Sequence, residues 1–236
     1  MLKHGVLLIL LSIVYSSFSQ TITGNQLLEK AISYHDPKNN WSTFNDSLFI
    51  TMEIPERVNR DSEIVINLPE EYFYVKAIRD TVTTEYILKK EECQIKLNDK
   101  TNLSDAIKKA HKLSCESANS YKDYYTYLYG LPMKLKDSGT IINENVERKI
   151  FKGKEYLVLK VTYDETVGND TWYFYFNPET YAMEVYQFFH DEIKNDGEYI
   201  LLTEEEIISD IKMPKSRAWY TNKEDKLLGT DILKTP

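Results

Sequence analysis

The four histidines are the side chains of this chain best suited to move a proton near neutral pH, and three of them stand beside a group that could assist. His35 precedes Asp36, His190 precedes Asp191 and Glu192, and His111 lies four residues before Cys115. An imidazole next to a carboxylate suits general-base chemistry when a nucleophile is within hydrogen-bond reach. Here His35-Asp36 and His190-Asp191-Glu192 border turn signals, where polar groups collect in any protein, so solvated histidines are expected rather than catalytic ones. No GxSxG, HExxH, GxxxxGK[ST] or GxGxxG pattern accompanies them. No catalytic residue is assigned, the chain is not expected to be an enzyme, and no cofactor is expected.

His111 and Cys115 share a helix face, and with Cys93 they make three ligands of types that zinc takes, but without CxxC spacing. The preferred reading joins Cys93 to Cys115, an even pair suited to an oxidising compartment. Such a bond would pin the start of the helical region to the preceding strand and contribute about 3 kcal/mol. The turn from Asp164 to Asp170 lacks calcium-loop spacing, and Glu70-Glu71, Glu91-Glu92 and Glu204-Glu205-Glu206 read as hydrated loop or strand ends. No metal site is assigned.

The aromatic residues offer a different chemistry, the burial of apolar surface. Trp172 to Phe176 are five consecutive rings, Tyr186, Phe188 and Phe189 follow one turn later, and Trp219-Tyr220 lies near the end. A strand that is apolar on both faces is covered on both. A second set, Tyr121, Tyr124, Tyr125 and Leu128, recurs at helical spacing. These rings either fill a core or line a ligand cavity between helices and sheet. On the second reading the ligand-binding residues are Tyr121, Tyr125, Trp172, Phe174, Tyr186, Phe188 and Trp219.

The elements that must position them follow from periodicity. Gly24 to Tyr34 is an amphipathic helix with Leu27, Leu28, Ala31 and Ile32 on one side, stopped by His35-Asp36-Pro37. Period-two strands follow at Leu48 to Ile54, Glu63 to Leu68, Tyr72 to Arg79 and Val82 to Lys89, with a short fifth at Gln94 to Leu97. Their connections are too short for parallel crossovers, so the pairing is antiparallel. Helices are expected from Ser104, with Ile107, Ala110 and Leu113 on one face, and from Glu116 to Tyr129. A linker from Lys134 to Ile142 leads to six more strands: Val146 to Phe151, Tyr156 to Tyr163, Thr171 to Phe176, Ala182 to Phe189, Tyr199 to Thr203 and Lys215 to Thr221. Strands, helices and strands in that order make an α+β fold, expected as a curved antiparallel sheet of about ten strands, an incomplete β-barrel, with about three helices covering its concave face.

Met1 to Gln20 has the layout of a cleavable export signal: Lys3 and His4, an apolar run from Val6 to Tyr15, and Ser16 to Ser19 as a small-residue exit. The expectation is residues 1–20 as signal and residues 21–236 as one domain. No cysteine follows the expected cleavage site, so no lipid anchor is expected there, and the protein is expected to be soluble in the periplasm. The net charge of −8 opposes a nucleic-acid surface, which needs clustered cations.

Several stretches carry a family likeness: LLEKAISYHDPKNNW (Leu27 to Trp41), SCESANSYKDYYTYLYGLPMK (Ser114 to Lys134), FKGKEYLVLKV (Phe151 to Val161), WYFYFNPETYAMEVYQFF (Trp172 to Phe189) and IKMPKSRAWY (Ile211 to Tyr220). Together they resemble a functionally uncharacterised family of exported Bacteroidota proteins, a resemblance that brings no activity with it. More remotely, the order of elements resembles the LolA/LolB-type lipoprotein-carrier superfamily. That resemblance implies a half-barrel with a hydrophobic interior; it maps no functional arginine onto Arg57, Arg60, Arg79, Arg148 or Arg217. The resulting expectation is a binding or carrier protein for a lipid, acyl chain or other apolar ligand. The alternative is a non-enzymatic module with a filled core that binds an envelope protein.

Overall fold

The computed structural model describes residues 22–234, and the export signal expected over residues 1–20 lies outside them. Helix α1 (Gly24–His35) starts at a reciprocal cap: Thr23 Oγ accepts the Gln26 amide at 3.3 Å, and Gln26 Oε1 accepts the Thr23 amide at 3.0 Å. Leu27, Leu28, Ala31 and His35 form its buried face. The chain then lays down β1 (Asn45–Glu53), β2 (Arg60–Asn67), β3 (Tyr72–Arg79), β4 (Val82–Lys89) and β5 (Glu92–Leu97). A helical segment follows, with α2 (Asp105–Ala110) and α3 (Cys115–Gly130). The remainder is β6 (Thr140–Ile142), β7 (Glu147–Phe151), β8 (Lys154–Tyr163), β9 (Thr171–Phe176), β10 (Met183–Asp191), β11 (Asp196–Ile208), β12 (Ile211–Thr221) and β13 (Leu227–Lys234).

All pairings between these strands are antiparallel, in the order β5-β4-β3-β2-β1-β13-β12-β11-β10-β9-β8-β6, and β7 also pairs with β8. The result is the expected large curved sheet and incomplete barrel, with 13 strands rather than about ten. β6 falls at the end of the expected linker, and β13 has no counterpart among the expected strands. β11 and β12 are also longer than their patterns suggested, meeting in a tight hairpin at Ser209 and Asp210, both with positive φ. Consequently Glu204 to Glu206 lie within β11 rather than in a loop or at a strand end, with Lys215 bridging Glu204 at 3.2 Å and Glu206 at 3.3 Å.

Among the described residues, two helices cover the sheet instead of about three. α1 packs on β8 and β12, and α3 packs on β3, β4 and β5. The six-residue α2 buries none of its own residues, because it ends at Ala110, before Leu113 could complete an apolar face. Cys93 on β5 and Cys115 at the start of α3 are bonded, tying the helix to the edge strand as expected; their sulfurs are therefore not metal ligands. At the other end of α3, Gly130 is required by packing, since a Cβ there would stand 2.3 Å from the Trp41 ring.

β9 shows why so many rings occur in one strand. Trp172, Phe174 and Phe176 join the main core under the helices, while Tyr173 and Tyr175 join a second cluster on the opposite face with Tyr156, Val158 and Val185. Phe151 of β7 caps that second cluster, its ring 5.1 Å from Tyr175 and 5.3 Å from Tyr199.

Candidate functional site

Helix α3 lies along the concave side of the sheet with a cleft at each end of the β2–β4 strands. The larger, about 700 Å³, is bounded by the β2–β3 turn at Leu68 and Tyr72, by Lys122 and Tyr127 of α3, and by Tyr163 and Trp172 from β8 and β9. The other, about 580 Å³, is bounded by Met52 and Arg60 of β1 and β2, by the turn between α2 and α3, and by Tyr121 and Tyr124. β2 reaches both, so they are separated by roughly 20 Å of strand.

Between the clefts runs a continuous series of rings. Trp172 stands 4.8 Å from Phe188, 5.9 Å from Phe174 and 6.1 Å from Tyr186. Tyr186 leads to Trp219 at 6.3 Å, Trp219 to Tyr124 at 6.2 Å, Tyr124 to Tyr125 at 5.1 Å, and Tyr125 to Tyr121 at 6.2 Å. Strand register explains the sheet half of the series: Leu159, Phe174, Tyr186, Ile200 and Trp219 are successive cross-strand partners from β8 to β12. All seven residues expected to form a ligand site thus meet in one network. Their exposure differs. Phe174 and Tyr186 are fully buried and Tyr125 is 1% exposed, whereas Tyr121, Trp172, Phe188 and Trp219 are only partly buried. Of the seven, Trp172 lines the larger cleft and Tyr121 the smaller.

A second cross-strand row is polar, and the aromatic pattern gave no hint of it. Arg60 of β2 faces Met52 of β1, Met52 faces Asp231 of β13, and Asp231 faces Arg217 of β12. Arg217 is fully buried and Asp231 is 1% exposed. The Arg217 guanidinium lies 3.8 Å from the Tyr129 ring centroid and donates through Nη1 to Pro214 O at 2.9 Å and through Nη2 to Leu128 O at 3.5 Å. Tyr124 donates to Asp231 at 3.2 Å, and Arg60 Nη2 donates to the Tyr125 hydroxyl at 3.1 Å.

Among the described residues, six buried polar atoms in this neighbourhood have no hydrogen-bond partner within 3.5 Å, namely Arg60 Nε, Tyr129 Oη, Tyr186 Oη, Arg217 Nε, Trp219 Nε1 and Asp231 Oδ1, although Trp219 lies near enough to Asp231, and Arg217 to Tyr186, to interact. Burial raises the Asp231 carboxyl above its ordinary value against the opposing pull of Arg217 and Arg60. Burial likewise holds the phenols of Tyr124, Tyr129 and Tyr186 far up, so they are neutral donors. Period-two spacing places Arg217 on the same face as Trp219, and that spacing was the available signal for this row.

The histidines resolve differently from one another. His35 is not solvated, as its turn-side position suggested, but fully buried. It accepts the Met183 amide through Nε2 at 2.9 Å, so its Nδ1 carries the proton and donates to Lys212 O at 2.8 Å. Burial pushes its imidazole down to about 4 against that second bond. Asp36 accepts the amides of Asn40 at 2.7 Å and Trp41 at 2.9 Å, so the pair is a structural bracket between α1, β10 and β12. His190 is largely exposed and pairs with Asp170 at 2.7 Å, which raises it. His111 lines the smaller cleft. Among the described residues no group of three or more His, Cys, Asp or Glu is placed to hold a metal. No described helix is long and apolar enough to cross a membrane.

The architecture has solved counterparts at low sequence identity. A LolA superfamily protein from Nitrosomonas europaea aligns with a TM-score of 0.54 and 11% identity, over 91% of this chain and 92% of that one. A domain provisionally identified as an outer membrane lipoprotein-sorting protein, from Vibrio parahaemolyticus, aligns with a TM-score of 0.51 and 10% identity, over 90% of each chain. These likenesses extend to the fold alone. No curated protein matches the sequence. A family model matches residues 3–234, and by that match the chain belongs to DUF6503, a family of unknown function.

Proposed function

We propose that the protein is a non-enzymatic binding or carrier protein for an apolar or amphiphilic ligand such as a lipid or acyl chain, working as a soluble periplasmic protein. The observation that carries this reading is the cleft of about 700 Å³ under α3, within the size range of ligand pockets and leading to Trp172 at the start of the aromatic series. Tyr121, Tyr125, Trp172, Phe174, Tyr186, Phe188 and Trp219 are the side chains that would contact the ligand. The driving force would be apolar burial at roughly 25 cal/mol per Å². The lipoprotein-sorting protein domain among the structural counterparts supports the same class of function.

Native mass spectrometry of protein purified from its own cell envelope, followed by titration with a fluorescent fatty acid, tests the proposal. Co-purified ligand, or saturable uptake weakened by Trp172→Ala, is the expected result. A ligand-free spectrum together with no uptake rejects it. One observation favours the second reading, an envelope protein-interaction module: Tyr125, Phe174 and Tyr186 fill the middle of the interior instead of lining a through-channel.

A further inference from the structure

The smaller cleft differs from the larger in its charge. Arg60 reaches it from β2, Lys112 and His111 from the turn before α3, and the hydroxyls of Ser117, Ser120 and Tyr124 from α3 itself. No carboxylate is among the described residues that line it. The larger cleft, by contrast, mixes Lys90, Lys122 and Lys134 with Glu71, Asp123 and Asp137.

Arg60 has unused capacity in this setting. One Nη donates to Tyr125, the guanidinium lies 5.9 Å from the Tyr121 ring centroid, and the buried Nε has no partner. The carboxylate in its own row, Asp231, lies two strands away along the sheet, acts on Arg60 through space, and accepts from Tyr124. A guanidinium whose carboxylate neighbour, Asp231, is shared with Arg217 and already accepts from Tyr124 keeps donors for the oxygens of an added carboxylate or phosphate.

We propose that this cleft binds the anionic group, carboxylate or phosphate, of an amphiphile, with Arg60 as its principal contact and Lys112 as a second cation. The inference rests on the carrier reading for the apolar tail but not for the anion.

The test is calorimetric titration of wild type, Arg60→Gln and Lys112→Gln with dodecyl phosphate, dodecanol and inorganic phosphate. The expected result is dodecyl phosphate bound by wild type at least about tenfold more tightly than dodecanol, as a charge-assisted contact provides. Arg60→Gln should lose about tenfold for dodecyl phosphate and none for dodecanol, and Lys112→Gln about two- to threefold for dodecyl phosphate. Equal affinity of wild type for the two twelve-carbon probes, or equal losses for both in Arg60→Gln, overturns the anion site and leaves the carrier reading standing. Arg60-dependent binding of inorganic phosphate without binding of either twelve-carbon probe keeps the anion site and rejects the carrier reading. Silence from all three probes rejects both. Circular dichroism establishes that Arg60→Gln is folded; if it is not, the wild-type preference and Lys112→Gln decide alone.

Discussion

Two buried polar groups of this fold are handled in opposite ways. At His35 and Asp36, every bond the geometry offers is made: each ring nitrogen of His35 has a backbone partner, and each Asp36 oxygen accepts an amide. At Arg60, Arg217 and Asp231, each residue keeps a buried atom without a partner in the protein. A satisfied group holds elements together, and its removal orphans its partners. Arg217 and Asp231 also hold partners, Pro214 O, Leu128 O and the Tyr124 hydroxyl, but each keeps one buried atom whose burial is not repaid by a bond within the protein. The difference separates scaffold from site without reference to any motif.

The contrast is sharpest for His35→Leu. It strands the Met183 amide and the Lys212 carbonyl in the core and should cost about 4 kcal/mol, measured by urea denaturation. A loss below about 1 kcal/mol would mean that the bracket does not hold α1 to the sheet.

A pH titration of stability examines the same residue without replacing it. The folded imidazole is depressed to about 4 from 6.5, so the unfolded chain takes up the proton first as pH falls. The stabilisation is complete above pH 6.5 and is lost progressively down to pH 4, by up to about 3 kcal/mol. Chemical denaturation of His190→Gln at half-unit pH steps checks it, since the raised His190 imidazole contributes the opposite slope, and a flat profile over that window would remove the assignment of a neutral His35.

The smallest effect should come from the unsatisfied row. Replacing Arg217 and Asp231 together by Met and Leu removes both buried charges and should leave stability within about 1 kcal/mol of wild type. A loss as large as that of His35→Leu would show that the row supports the fold after all.

The two regions were unequally legible in the sequence. Period-two spacing found the apolar inward faces of β1, β2, β3 and β4, but it stopped short on β11 and β12, whose meeting ends bury Ile208, Ile211 and Met213. β13 escaped because its buried positions are Gly229, Asp231 and Leu233, so the alternation carries no hydrophobic signal at the point where the polar row crosses it. Arg60 and Arg217 were visible as residues, but their meeting with Asp231 depends on register across β2, β1, β13 and β12, and register between segments so far apart leaves no local mark. The seven aromatic candidates were found through types and spacing. Which of them are buried and which border a cleft depended on where α3 lies. His35 was misread as solvated because the stop signal Asp36-Pro37 marks the end of a helix but not what covers it.

The pairing of β1 with β13 also bears on how the molecule is made. Strands β1 to β5 can pair with their sequence neighbours as soon as they are synthesised, whereas the join at the middle of the sheet unites residues 45–53 with residues 227–234. Such a non-local contact forms slowly and only after residues 227–234 have been made. Until then β1 and β12 each present an unpaired backbone edge, the kind of surface that recruits other chains. A product ending before Leu227 should therefore be lost to aggregation, seen as protein in the pellet after centrifugation, while the full-length protein stays in the supernatant. Quality control is in this sense written into the strand order, because the last strand of this sheet to be made is the one that joins its two halves.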